Sequence, residues 1–387
     1  MSHRDDLLGM LSGHKPRRIP FIFMGFHDEE TTHKLAPPDC WDENTYYIPP
    51  AASSLGRFST EPRSQESRER AVRMSRYVDM CTVGVGKGGV FPFGHGGPGE
   101  IQPVLIEQTN EFRILQYEGG HRRRINSNPH SIRYFDFPLK TESDLESLDL
   151  PDMRDPQRYQ DIEADAAYIR DEGFVSTGCI QGFFSGIHNS FMDYEDTLAN
   201  LLLKPDFMRD VTARLARMNL DAVEALLGRG VEIINVCDDL GTADALILSP
   251  ELIREFFFPW YEELVGLVHD KGGYLHLHSH GNTRQLLPDL ATMGVDILNP
   301  FDIEENPDLP DLVRKHSRDF IFCGGTTGAL HEHCVDEVRE IVNRACDLSA
   351  LAERGYILMA GGAISTLPQS TWRAWMDIFS SARNPSS

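Results

Sequence analysis

The 387-residue chain predicts an α/β fold: a closed (β/α)8, or TIM, barrel with an antiparallel β-meander inserted into it. Three observations predict it. From Arg158 onward, short apolar segments alternate with amphipathic helical ones, the pattern of a parallel sheet covered by helices. Eight such strands can be counted from Ile19, which suits a closed barrel better than an open doubly wound sheet. The stretch 101–139 breaks the rhythm. It alternates polar and apolar residues, with Asn110 and Gly119-Gly120 at its turns, and reads as the meander.

The first two strands are IPFIFMGF from Ile19 and VDMCTVGVG from Val78. Between them, residues 37–67 are rich in Pro, Ser and acids and read as a lid loop over the barrel mouth. After the meander comes a helix over 158–170, ended by Gly173, then the strand FVSTGCI from Phe174. Two helices follow, over 194–203 and 206–227, with Asp206 placed to cap the second. VEIINV from Val231 is the fourth strand. The next helical stretch has Ser249 as its cap and Pro250 at its first position, and Pro259 should divide it. Strands from Tyr274, Val295, Phe320 and Tyr356 complete the eight, with helices near 284–293, 309–316, 335–352 and 369–380 between and after them. The terminal ARNPSS reads as a frayed tail. The whole of 1–387 is read as a single barrel domain.

Composition narrows the function. Lys and Arg total 37 against 59 Asp and Glu, a formal charge of −22. Phosphates would be repelled, so neither nucleic acid nor an anionic membrane is the expected partner. No run of about 18 apolar residues is present to span a bilayer. Seven widely spaced cysteines without a CxxC point to a reducing compartment, and the protein is read as cytoplasmic.

Barrel active sites lie at the C-terminal ends of the strands. There the first strand offers His27 and Asp28, and the second offers GVGKGG with Lys87. The third ends at Gln181, with His188 beyond it, and the fourth ends in Cys237-Asp238-Asp239. The fifth carries His276, His278 and His280; the sixth ends at Asn299 and the seventh at Cys323. Alternate residues share a strand face, so the three histidines face one way if the strand stays regular. Such imidazoles can clamp a metal, commonly zinc, with Asp239 or Cys323 as a further ligand. The plain alternative is one buried, hydrogen-bonded histidine and two that face the pocket without metal. Asp238 and Asp239 are candidates for acid/base work or for anchoring substrate; the alternative is a cap on the turn Leu240-Gly241-Thr242. GVGKGG lacks the Ser or Thr of a phosphate loop. HRRR, from His121 to Arg124, reads as a solvated face, or else as an acid-binding or docking edge. HEHC, from His331 to Cys334, reads as surface loop. The aromatic cluster Phe256–Tyr261 reads as packing.

Several segments resemble the uroporphyrinogen decarboxylase superfamily. These are DDLG at Asp238, LSPELIREFFFPWYEELVGLVHDKGG from Leu248, HLHSHGNTRQLLPDL from His276, MGVDILNPFD from Met293, CGGTTG at Cys323 and GYILMAGGAI from Gly355. That superfamily is built on (β/α)8 barrels and includes zinc-dependent cobalamin:coenzyme M methyltransferases. The arginine-rich segment with which true uroporphyrinogen decarboxylases grip carboxylates is replaced here by MGFHDEE. The methyltransferases' HxC pair is replaced by His278-Ser279-His280, and the cysteine near their eighth strand by Gly361 or Gly362. The resemblance therefore implies a methyltransferase acting between a small methylated substrate and a corrinoid, closer to that branch than to the decarboxylase. It implies zinc held by His278 and His280 with Asp239 or Cys323, and a corrinoid supplied by a partner protein. Asp238, Asp239 and His27 are the implied catalytic residues. His188, Asn299 and Lys87 are the residues placed against the cofactor. A homodimer is a further expectation. The alternatives are a decarboxylase for a different acid and a non-catalytic corrinoid- or tetrapyrrole-binding module.

Overall fold

The computed structural model describes residues 2–26, 29–41, 64–86, 103–126, 131–362 and 364–384. Strands β1 (Phe21–Met24) and β2 (Thr82–Gly84) come first. β3 (Val104–Gln108), β4 (Phe112–Gln116), β5 (Arg122–Asn126) and β6 (Ser131–Phe135) make a separate antiparallel sheet. Then come β7 (Val175–Gln181), β8 (Ile233–Cys237), β9 (Tyr274–His278), β10 (Ile297–Phe301), β11 (Ile321–Gly325) and β12 (Tyr356–Gly361). The large sheet is parallel throughout, in the order β1-β12-β11-β10-β9-β8-β7-β2. Its two ends meet where the Cys81 N–H donates to the Phe21 carbonyl at 2.9 Å, which brings the barrel close to closure. All eight strands predicted from the sequence are present, and the meander occupies its predicted place with turns at 109–112 and 117–121. Of the lid stretch, residues 42–63 lie outside the described residues.

Register and strand parity decide what faces the barrel interior. Side chains paired across neighbouring strands point to the same side. Asn235 pairs with His276, Cys237 with His278, and Asn299 with His278, so all of these share a face. Asn299 Nδ2 reaches Met359 Sδ at 3.1 Å, although β10 and β12 are not neighbours; the contact crosses the interior and fixes that face as inward. By the same register Thr177, Cys179 and Gln181 on β7 face inward, as do Ile321 and Cys323 on β11, Ile357 and Met359 on β12, and Ile22 and Met24 on β1. The interior is two-sided. Toward the mouth the β7–β10 side is polar, with Ile233 and Ile297 at its base, and the β11–β12–β1 side is aliphatic and thioether around the buried Cys323 thiol.

Helices cover the outer face, as a parallel sheet requires. The long one, Pro205–Leu227, begins one residue earlier than predicted. Pro205 takes its first position, so Asp206 sits in the first turn and does not cap it. Ser249 accepts from the Leu252 N–H as its predicted cap role demands. The chain divides at Phe257 into Pro250–Phe256 and Phe258–Asp270, because Pro259 cannot supply the N–H that would continue the first helix. Phe256, Phe257, Phe258 and Tyr261 are all buried, as packing residues.

The C-terminal tail is a correction. Arg383, read as part of a frayed end, is 1% exposed. Its guanidinium pairs with Asp79 and donates to the carbonyls of Phe379 (2.8 Å) and Ile19 (3.2 Å). Asp79 also takes Arg18 Nη1 at 2.9 Å. The last helix, Gln369–Ala382, is thereby tied to both chain segments at the barrel seam. No local pattern marks this, because Asp79 and Ile19 are distant in sequence. Arg383→Ala removes one partner of the partly buried Asp79, which keeps Arg18 and His3, and takes the donor from two carbonyls, so it should lower unfolding stability by about 1–2 kcal/mol. Urea unfolding of the purified variant checks it, and a loss within error of zero would refute the anchoring role.

Candidate active site at the barrel mouth

β8 ends in two carboxylates, and strand alternation sends them to opposite sides of the wall. Asp238 points outward and is fully buried. It accepts from the Tyr261 hydroxyl at 2.6 Å, the Ser185 N–H at 2.7 Å, the Ser185 hydroxyl at 2.8 Å and the Phe184 N–H at 3.2 Å. It thus caps the helix Phe183–Ser190, whose first N–H groups have no partners within the helix. Burial raises its pKa against the lowering effect of these donors, and burial together with the Asp238 carboxylate pushes the Tyr261 phenol well up, so Tyr261 keeps its proton and donates it. Asp238 is therefore a positioning residue. Its oxygens face the helix Phe183–Ser190 and Tyr261, not the turn after it. Gly182 makes this possible, since a Cβ there would lie 2.0 Å from Asp238 Cβ.

Asp239 faces the mouth and its side chain is half exposed. Its Oδ1 accepts the His280 N–H at 3.0 Å and lies 3.7 Å from His278 Nε2. His278 is buried to 8% exposure, with its ring edge-on to that of His280 at 4.9 Å. β9 stops at His278, so His280 leaves the strand face, and its Nδ1 sits 3.8 Å from Glu305 Oε1. His188 lies on the helix after β7, edge-on to Phe184 and Tyr194. Burial lowers its pKa to about 4, and the Asp239 carboxylate opposes that shift. His276 lies one layer deeper and is lowered to about 3, by burial first and by His278 second, with Asn299 opposing.

The implied metal set is only partly assembled. His278 and Asp239 come together, but Cys323 is fully buried, and burial, with Cys81 adding to it, pushes its thiol well up. Among the described residues no three His, Cys, Asp or Glu side chains gather closely enough to hold a metal ion. A catalytic zinc needs three protein ligands, so the described residues do not fit one. His27 and Lys87 lie outside the described residues.

Several features at the mouth were not legible in the sequence. Cys179 and Cys237 bring their sulfurs to 3.6 Å on adjacent strands. HRRR is not a solvated face. Its residues alternate, so His121 and Arg123 are buried at 3% and 4% exposure. Arg123 lies over the rings of Tyr117 (3.9 Å) and Tyr134 (4.9 Å), and Arg124 over Phe112 (3.8 Å). Tyr134 is acted on by both Arg123 and Asp239, which places the inserted sheet beside the mouth. The one available signal was that polar–apolar alternation, which marks a sheet with a buried face. In HEHC, Cys334 is exposed and His331 and His333 are partly so, as a surface loop requires.

Against known proteins, the uroporphyrinogen decarboxylase (URO-D) family model matches residues 125–380. Among solved structures, a methyltransferase from Methanosarcina mazei superposes with a TM-score of 0.64 at 13% identity, covering 98% of this chain and 99% of that one. A B12-independent methionine synthase from Shewanella sp. W3-18-1 superposes with a TM-score of 0.46 at 11% identity, covering 95% and 97%. No curated protein matches by sequence. No helix among the described residues is long and apolar enough to cross a membrane.

Two predictions follow from the geometry. Asp238→Ala strands the Tyr261 hydroxyl and the Ser185 and Phe184 donors in a buried site, and should lower unfolding stability by about 3 kcal/mol or more in denaturant titration. The second concerns pH. His188 and His276 stay neutral when folded but would protonate near 6.5 when unfolded. Below that value the unfolded chain binds more protons, so their contribution is complete above pH 6.5 and lost as pH falls toward 4 and 3. The urea midpoint should fall on acidification from pH 6.5, already above the carboxylate range, and His276→Asn should flatten that slope.

Proposed function

The chain belongs to the uroporphyrinogen decarboxylase family, and from that premise we propose that it moves a methyl group between a small methylated molecule and a corrinoid carried by a partner protein. The observation that carries this reading is the two-sided interior. A substrate with its heteroatom against the Asp239–His278 side has its methyl group directed to the side of Met24 and Met359, both only partly buried. The fold shared along its length with the Methanosarcina methyltransferase supports the same reading.

The chain's own residues have definable tasks. Transfer breaks the bond between the methyl carbon and the heteroatom, and the electron pair stays on the heteroatom. That atom needs a proton, and His278 Nε2 is the group placed to hold and deliver it. Asp239, 3.7 Å away, balances the ring's positive charge and fixes its orientation. Asp238 acts only through the wall, by holding β8 and the helix carrying His188 in place. A corrinoid, when its partner protein docks, supplies the methyl acceptor. In the reverse direction His278 takes the proton back. No step passes through a metal.

The test uses the full chain with cob(I)alamin and a panel of methyl ethers and methylamines, followed by visible absorbance. In parallel, carbon dioxide release is measured from a panel of carboxylic acids. Methyl transfer to the corrinoid is the expected result. His278→Gln and Asp239→Asn should each lower its kcat by about 10²- to 10⁴-fold. Carbon dioxide release without methyl transfer would overturn the reading in favour of a carboxy-lyase, and corrinoid binding without exchange in favour of a binding module.

A further inference from the structure

Beside the mouth, under the inserted sheet, lies a chamber that opens on one side to solvent. β7 and the helix Pro205–Leu227 form two of its walls, and the turn 117–121 between β4 and β5 forms a third. Tyr117, Tyr159, Phe191 and Met218 make it largely apolar and ring-walled. Two side chains in its lining hold buried polar atoms without partners. His121 is 3% exposed, and neither ring nitrogen has a hydrogen-bond partner. Its ring stacks on Tyr117 at 4.9 Å and 11°, so its orientation is set by packing. Gln181 accepts from the Ser190 hydroxyl through Oε1 at 3.3 Å, but its Nε2 is buried and unpartnered.

Leaving such groups unmade in an apolar site costs about 1–3 kcal/mol each, so a resting chamber of this kind is a poor arrangement unless something else supplies the partners. The one charged residue of the lining is already paired. Glu118 in the lining takes Arg158 Nη1 at 2.9 Å and a second Arg158 nitrogen beside it. Arg123 lies over two tyrosine rings. A charged ligand would therefore find no free counter-charge among the lining residues to offset its desolvation. The histidine is neutral as well. Burial, aided by Arg123, holds its pKa at about 3, so one nitrogen donates and the other accepts.

We propose that this chamber is a binding site for a neutral, flat, mainly apolar molecule bearing a hydrogen-bonding oxygen, of the class of phenols, held by His121 and Gln181 between aromatic walls. The proposal does not rest on methyl transfer. It would stand if the barrel proved to be a carboxy-lyase, and it would fall independently.

The probe is 4-methylphenol, with toluene as the same shape lacking the oxygen and benzoate as a charged analogue. Calorimetric titration of the full chain should give one saturable site for 4-methylphenol and at least about tenfold weaker binding of the other two. The His121 imidazole nitrogen resonances should shift on addition of 4-methylphenol, a readout that needs no variant. His121→Phe keeps the stack on Tyr117 and should weaken binding about tenfold. Met218→Trp fills the chamber and should abolish it. Asp239→Asn, at the mouth, should leave it unchanged. Equal binding of toluene, an unmoved His121 resonance, or affinity retained in both His121→Phe and Met218→Trp would each overturn the proposal.

Discussion

The side chain of Asp238 is the constraint on which the rest of the site depends. A strand can present successive residues only to opposite sides. With two aspartates in sequence, one must therefore leave the mouth. The buried one is tolerated because four donors meet it, from the helix Phe183–Ser190 and from Tyr261. Gly182 lets the backbone approach closely enough for that. The consequence is mechanical. The end of β8, the helix bearing His188 and the helix Phe258–Asp270 are joined at one point, which holds Asp239 at the mouth beside His278.

The same parity divides the interior. Cys179, Gln181, Asn235, Cys237, His276, His278 and Asn299 line the arc from β7 to β10 above Ile233 and Ile297, and Ile22, Met24, Ile321, Cys323, Ile357 and Met359 line the arc from β11 to β1. A uniformly apolar interior would be the more stable packing, since each buried imidazole or amide must find partners. Retaining His276 as a neutral ring deep in the wall makes the barrel sensitive to acid, and it does so where the chemistry needs polar groups. His280 lies outside this arc because β9 ends before it, and its ring sits between that of His278 and the Glu305 carboxylate.

The architecture was legible because it rests on local signals. The eight strands and the division at Pro259 follow from hydrophobic runs and from residues that cap or break helices. The site was legible only in outline. That strands end in Asp238, Asp239 and His278 can be read directly, but which carboxylate turns inward depends on register with β9, a nonlocal property. Arg383 and Asp79 are 304 residues apart, and no periodicity marks their pairing. The basic cluster at His121–Arg124 misled for a related reason. Charge argued for solvent, whereas the alternation buries His121 and Arg123, with Arg123 against aromatic rings.

That alternation also bears on why the meander exists. Among the twenty residues of its four strands, only Val104, Leu115 and Arg123 are buried. A sheet that removes so little apolar surface from water adds little to stability. Its inner face sets Arg123 between Leu115 and Tyr134, and the turn after β4 lies where β7 leaves the barrel, against residues that also face the interior. The insertion thus acts as a roof. It places a neutral imidazole and a stack of rings beside a cavity that the barrel strands alone would leave open, and it does so from a segment whose own hydrogen-bonded sheet can form without the barrel's register. Such a segment can change its buried face while the Asp238 joint and the Asp239–His278 pair stay where they are.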